Sequence, residues 1–152
     1  MAGRILEIYI AERDKPPASQ QSVQAEAEKG IVGDRYYNGT GTFSDKLASN
    51  RKSEITFIAA EEIDRFNQSQ NESLGYGDVR RNIVTQGIDL KELIGKEFTI
   101  GSAKFRGIEH CEPCAHLAAT VNQKLLPHFA HTGLRAAILE SGEITVGAKI
   151  TR

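Results

Sequence analysis

Apolar positions recur along the chain at two different intervals, and the interval decides the element. Ile5 to Ala11 is β-branched and apolar with polar interruptions and reads as an opening strand. Ser53 to Ala59 reads as a second strand and Arg80 to Thr85 as a short third. Glu97–Ile100 and Ala103–Ile108 alternate with period two and are joined by Gly101-Ser102, a hairpin signal. Leu134 to Leu139 and Glu143 to Ile150, separated by Ser141-Gly142, read as a further hairpin. Helical spacing is rarer. Ala60 to Asn67 places Ile63 and Phe66 on one face, and Asp89 to Leu93 reads as a single turn with Asp89 as cap and Gly95 as stop. Cys114 to Leu126 carries Leu117, Val121 and Leu125 at intervals of four and reads as a second helix. Many short strands with few long crossovers predict a mostly β fold, a largely antiparallel barrel or sandwich with a few short peripheral helices.

Between these elements lie two irregular stretches. Glu12 to Lys29 is polar, contains Pro16-Pro17 and shows no sustained period, so it reads as a loop with at most a short helical turn. Gly30 to Phe43 holds four glycines among charged, aromatic and hydroxyl side chains. No regular helix is expected there, since each glycine costs about 1 kcal/mol relative to alanine. With no internal repeat and no compositional break, residues 1–152 are expected to form one domain. A chain of 152 residues buries roughly 70% of its unfolded surface, enough for a core without disulfide staples.

Composition then narrows the partners. The net charge of −1, from 19 basic and 20 acidic residues, argues against a general nucleic-acid binder, which needs a basic excess to displace phosphate counterions. The apolar runs are too short for a spanning helix, and Ile5 to Ile10 is too short and interrupted for a signal-peptide core. The expected location is the cytoplasm or a similarly reducing compartment. There, two cysteines separated by two residues point to catalysis or metal binding before structure.

The reactive side chains concentrate in Glu109-His110-Cys111-Glu112-Pro113-Cys114-Ala115-His116, after an expected strand and at the start of an expected helix. In the first helical turn the free backbone N–H groups and the dipole favour a Cys114 thiolate, which a soft metal or a sulfur-transfer step requires. A small buried apolar residue is the competing reading for each cysteine. His110, Cys111, Cys114 and His116 supply four candidates for tetrahedral zinc, but adjacent residues on a strand point apart, and no second Cys/His pair exists elsewhere. The surrounding strand pattern does not offer the βαβ context of a thioredoxin-type dithiol. A metal on one thiolate fits the spacing, as does a persulfide that the second thiol can resolve. Arg80-Arg81-Asn82 could present one arginine as an anion clamp, against the blander reading of a salt bridge and a solvated side chain. Gly33-Asp34-Arg35 with Gly39, Thr40 and Gly41 could cradle an oxyanion, although it lacks the Walker pattern. His128 and His131 read as surface residues, and Glu61, Glu62, Asp64 and Arg65 as a solvated helix face.

Four blocks, Gly30–Arg35, Arg80–Leu90, Leu93–Gly101 and Cys111–Leu117, occur in an order that resembles the MOSC domain family, named for the C-terminal domain of molybdenum-cofactor sulfurase. The resemblance runs from about Gly30 to Ile150 and implies a mostly β structure built around an antiparallel barrel. It also implies a pocket for the molybdenum cofactor, a pterin bearing a dithiolene and a phosphate. Cys114 matches the family's essential cysteine, as metal ligand or sulfur carrier, and Cys111 is the extra cysteine of similar short members. Asp34, Arg35, Arg81 and Asn82 fall in segments that shape the pocket, and His116 lies beside the cysteines. Tyr37-Asn38-Gly39 stands where longer members carry a His-Gly pair. The resemblance leaves open a molybdenum-dependent reductase of N-hydroxylated compounds or a sulfur-transfer protein. A separate electron-donor or sulfur-donor protein is expected, pyridoxal phosphate is not. The alternative is a non-catalytic thiol-redox or zinc-binding module using Cys111 and Cys114.

Overall fold

The structure, a computed structural model, describes residues 3–11, 16–34, 37, 54–77, 81–110 and 133–152. In chain order its strands are β1 (Gly3–Ile10), β2 (Ala18–Gln20), β3 (Ser22–Glu26), β4 (Gly30–Ile31), β5 (Ile55–Ala59), β6 (Ile83–Gln86), β7 (Glu97–Ile100), β8 (Ala103–His110), β9 (Gly133–Glu140), β10 (Gly142–Thr145) and β11 (Lys149–Thr151). Helix α1 (Ala60–Gln70) joins β5 to β6, and a 3₁₀ turn (Leu90–Leu93) joins β6 to β7.

The larger sheet runs β11-β7-β8-β9-β5-β6-β1-β2 and closes on itself where β11 pairs with β1. One edge of β1 is taken by β6; the other is shared, with Gly3 and Arg4 on β11 and Ile8 to Ile10 on β2. The result is a closed barrel, which removes most free strand edges. Among the described residues the strand pairs are antiparallel except β5–β6, which follow one another in the chain with α1 between them. A second sheet, β10-β3-β4, is built on β3.

The core follows from alternation along these strands. Ile8, Ile55, Phe57, Ile83, Leu134, Ala136 and Ile138 are buried in one cluster with Phe98 and Phe105. Phe57 meets Phe98 and Phe105 edge-on, at centroid distances of 5.6 and 5.9 Å, and Phe98 stacks on Phe105 at 5.4 Å. A second cluster lies on the opposite face, where Ile63 and Phe66 of α1 cover Ile58 and Val84. Glu61 and Glu62 sit in the first turn of α1, where they suit the dipole, and Asn71 ends the helix in the left-handed conformation.

Three expectations change. The segment expected as a loop, Glu12 to Lys29, contains β2 and β3; in β3 only Val23 and Ala25 are buried, so its apolar signal is two residues long. The expected C-terminal hairpin does not form, because β10 leaves β9 after Ser141 and pairs with β3 instead. One intervening residue is too few for a two-residue hairpin turn, so the chain changes sheets there. The expected strand Glu143 to Ile150 is broken by a turn at Val146-Gly147 into β10 and β11. The expected helix from Cys114 to Leu126 lies outside the described residues.

Candidate functional site

Because Phe57, Ile83, Leu134 and Ile8 point into the core, Thr56, Asn82, Arg135 and Tyr9 beside them face the other side of the sheet. The register aligns them. Arg135 lies opposite Thr56 on one side and Glu109 on the other, Thr56 is bonded to Asn82, and Asn82 to Tyr9. A polar row Glu109–Arg135–Thr56–Asn82–Tyr9 thus crosses the outer face of β8, β9, β5, β6 and β1. At the usual strand spacing, Asn82 and Glu109 are roughly 14 Å apart.

Two members of this row, Glu109 and Asn82, belong to segments that the sequence singles out. Glu109 is the penultimate residue of β8, which delivers the chain to Cys111. A register shift between Gly107 and Glu109 puts Glu109 on the face of Arg135 and sets His110 opposite the buried Leu134. Just before that shift β8 is clamped: the Gly95 N–H donates to the Gly107 carbonyl at 2.8 Å, and the Gly107 N–H donates to the Lys96 carbonyl at 3.0 Å.

Asn82 is a cross-strand bolt. Its Oδ1 accepts from the Thr56 N–H and the Thr56 hydroxyl, both at 3.1 Å, while its Nδ2 donates to the Tyr9 carbonyl at 3.2 Å. Its backbone N–H donates to Thr56 Oγ1 at 3.0 Å, and its carbonyl accepts from the Tyr9 N–H at 2.7 Å. Arg81, half-buried, immediately precedes it. The stretch that follows α1 is held on it, since Asn67 bonds both main-chain groups of Leu74 at 2.8 Å. Tyr76 donates to Asp64 at 2.8 Å, and that bond, with burial and the charges of Asp64, Glu7 and Glu61, pushes the phenol up to about 12. The Tyr9 hydroxyl donates to Glu7 on the same surface.

Asp34 is only 3% exposed, and its Oδ1 accepts from the buried Ala11 N–H at 3.0 Å. It fastens the turn after β4 to the end of β1, two residues from the Tyr9 groups that hold Asn82. Asp34 and Asn82 are therefore both bonded to main-chain groups at the same end of β1. Both spend side-chain atoms on main-chain partners. Arg35, Cys111, Cys114 and His116 lie outside the described residues, as do Gly39, Thr40, Gly41, His128 and His131. Among the described residues there is no group of three His, Cys, Asp or Glu side chains that could hold a metal ion.

Sequence reasoning passed over Thr56, Arg135 and Glu54. Glu54 is buried and its Oε1 accepts from the Ile138 N–H at 2.9 Å, beyond the point where β5 stops pairing with β9. The signal for Arg135 was a lone charge in the otherwise apolar Leu134–Leu139; for Glu54 there was none, because a carboxylate near the end of an expected strand is ordinary.

A closed, mostly antiparallel barrel with a small accessory sheet and a polar row leading to a Cys-x-x-Cys segment defines the class. Residues 39–151 match the MOSC domain family, so the chain belongs to that family. The fold is similar to that of YuaD protein from Bacillus subtilis, with TM-score 0.79 and 18% identity over 99% of this chain and 94% of that one. It is similar to YiiM from Geobacillus stearothermophilus, with TM-score 0.72 and 14% identity over 98% and 74% of the two chains. YiiM from Escherichia coli gives TM-score 0.65 and 14% identity over 99% and 69%. No curated protein matches the chain in sequence. No helix among the described residues is long and apolar enough to cross a membrane.

Proposed function

We propose that this chain is a molybdenum-cofactor-binding domain in which Cys114 ligates molybdenum or carries sulfur. The observation that carries this reading is the register of the outer face: in a chain of the MOSC family, it joins the Arg81-Asn82 segment to the strand that ends one residue before Cys111. The donor set fits the group. Arginine forks match a phosphate, a thiolate is a soft ligand, and Asp34 and Asn82, the sequence neighbours of Arg35 and Arg81, are each bonded to main-chain groups. When bound, the cofactor supplies a redox-active, sulfur-coordinated metal. Cys114 provides the thiolate, Cys111 can resolve a sulfur carried on it, and the arginines hold the anionic end of the pterin. Reduction of N-hydroxylated compounds, with electrons from a separate protein, is the activity we favour if the metal turns over. The cytoplasm is the compartment that suits the free thiols.

Protein purified from a cofactor-competent host is expected to carry molybdenum and pterin fluorescence. Both should fall sharply in Cys114→Ala and persist in Cys111→Ala. Wild-type protein that holds zinc and no pterin would refute the proposal, as would molybdenum content and sulfur-transfer or reductase activity that all ignore Cys114→Ala.

A further inference from the structure

Lys29, Arg65, Lys91, Lys104, Arg106 and Arg152 are each ion-paired with a carboxylate. Among the described residues, Arg4, Lys96 and Lys149 have no such partner, and Arg4 on β1 lies directly opposite Lys149 on β11. The Ile5 N–H donates to the Ala148 carbonyl at 2.9 Å, so Arg4 and Lys149 form the adjacent non-hydrogen-bonded pair, the closer kind, with Cα atoms about 4.5 Å apart. Gly3 and Ile150 beside them are buried, so both cations stand on the outer face, exposed. Gln86 on β6, also exposed, continues the row on the other side of Arg4. Like charges directly opposite each other on a sheet face cost stability. A fold that carries such a cost with no local compensation marks a place where use outweighs packing.

We propose that Lys149, Arg4 and Gln86 form a docking surface for an acidic segment of a partner protein, whose Asp or Glu carboxylates seat against the two cations. Charge complementarity sets the chemistry, and the narrowness of the spot sets the class of partner. On one side the Glu61 carboxylate accepts the N–H of Gly87, next to Gln86, at 2.8 Å. On the other, Glu92 holds Arg152, three residues beyond Lys149, at 2.8 Å. A nucleic acid or an anionic membrane spreads its phosphates over these carboxylates too, whereas one acidic segment need meet only the two cations. A lone small anion on so exposed a pair stays hydrated and gains little, while a protein segment adds contacts along the row, where the Gln86 amide both donates and accepts. The surface lies at the start of β1, about 17 Å along the strand from Tyr9, to which Asn82 is bonded. It is therefore separate from the candidate functional site and does not depend on the proposed function.

The test uses the full chain and a short peptide of alternating Glu and Gly, with a Gln-and-Gly peptide of equal length as control. In an NMR titration at low salt, the acidic peptide should shift the Arg4 Nε–H and the amides of Arg4, Gln86 and Lys149 saturably, and the neutral peptide should not. Added salt should abolish the shifts. Arg4→Ala should weaken binding about two- to fivefold, the size of one exposed ion pair. Lys149→Glu should weaken it about tenfold or more and at the same time raise the urea midpoint, because it turns a like-charge pair into an opposite-charge one. A gain in stability coupled to a loss of binding is the signature that a merely structural pair does not give. An acidic peptide that leaves these groups unshifted, or binds wild type and Lys149→Glu equally, overturns the proposal, as does a Lys149→Glu variant that gains no stability. Inorganic phosphate or phosphatidylserine vesicles that shift the same groups at least as strongly as the peptide also overturn it, by giving the surface to a different occupant.

Discussion

Replacing Gly107 by alanine is expected to destabilise the protein by roughly 3 kcal/mol, at the upper end for an overpacking substitution. A Cβ at this position would stand 2.1 Å from the Leu93 carbonyl oxygen, 2.7 Å from its carbon and 3.2 Å from Ile94 Cα. All three are backbone atoms, so no rotamer change relieves the clash. The turn at residues 93–96 would have to move, and with it the two hydrogen bonds that lock Gly107 between Gly95 and Lys96. Urea unfolding measures the effect. A midpoint unchanged from wild type would show that the close approach does not constrain β8. Because the clamp lies immediately before the register shift that aims Glu109 and His110, the folded fraction of this variant should also bind cofactor less well.

The second large effect is expected at Asn82. Asn82→Ala removes the acceptor of the Thr56 N–H and hydroxyl and the donor to the Tyr9 carbonyl. Leaving a partly buried main-chain group without its partner costs about 1–3 kcal/mol, so a loss of roughly 3 kcal/mol follows from the two together. Thr56→Val should cost less, since it spares the bond to Tyr9. The pair should be less than additive because both act on one network. Chemical denaturation of the two single variants and the double variant checks this, and additive losses would contradict the bolt. Asn82→Asp retains the acceptor but turns an anionic oxygen toward the Tyr9 carbonyl, so it should fall between wild type and alanine.

What the sequence makes legible is set by how long each pattern is. The barrel strands that bury a full face, such as Ile55–Ala59 and Ala103–His110, announce themselves by period. The β7–β8 hairpin is equally plain, because Gly101 with φ 59 sits in the two-residue turn. Ser22–Glu26 is as much a strand, yet its pairing with β10 is decided about 120 residues further on, where no local pattern reaches. The same holds for the site. Cys114, Arg81 and Asp34 stand out by residue type, and the family resemblance adds their order. That Asn82 is spent on β1 and β5, and that Arg135 shares its row with Glu109, depends on register, which local sequence does not encode.

The central claim is that one pocket brings the cofactor to Cys114, whether the thiol ligates the metal or carries sulfur. The rate at which iodoacetamide alkylates Cys114, followed by peptide mass spectrometry with and without molybdopterin, tests it most directly. Saturating cofactor is predicted to slow alkylation of Cys114 by about tenfold or more, as expected when a bound group both covers a thiolate and competes for it. Equal rates with and without cofactor would contradict the claim.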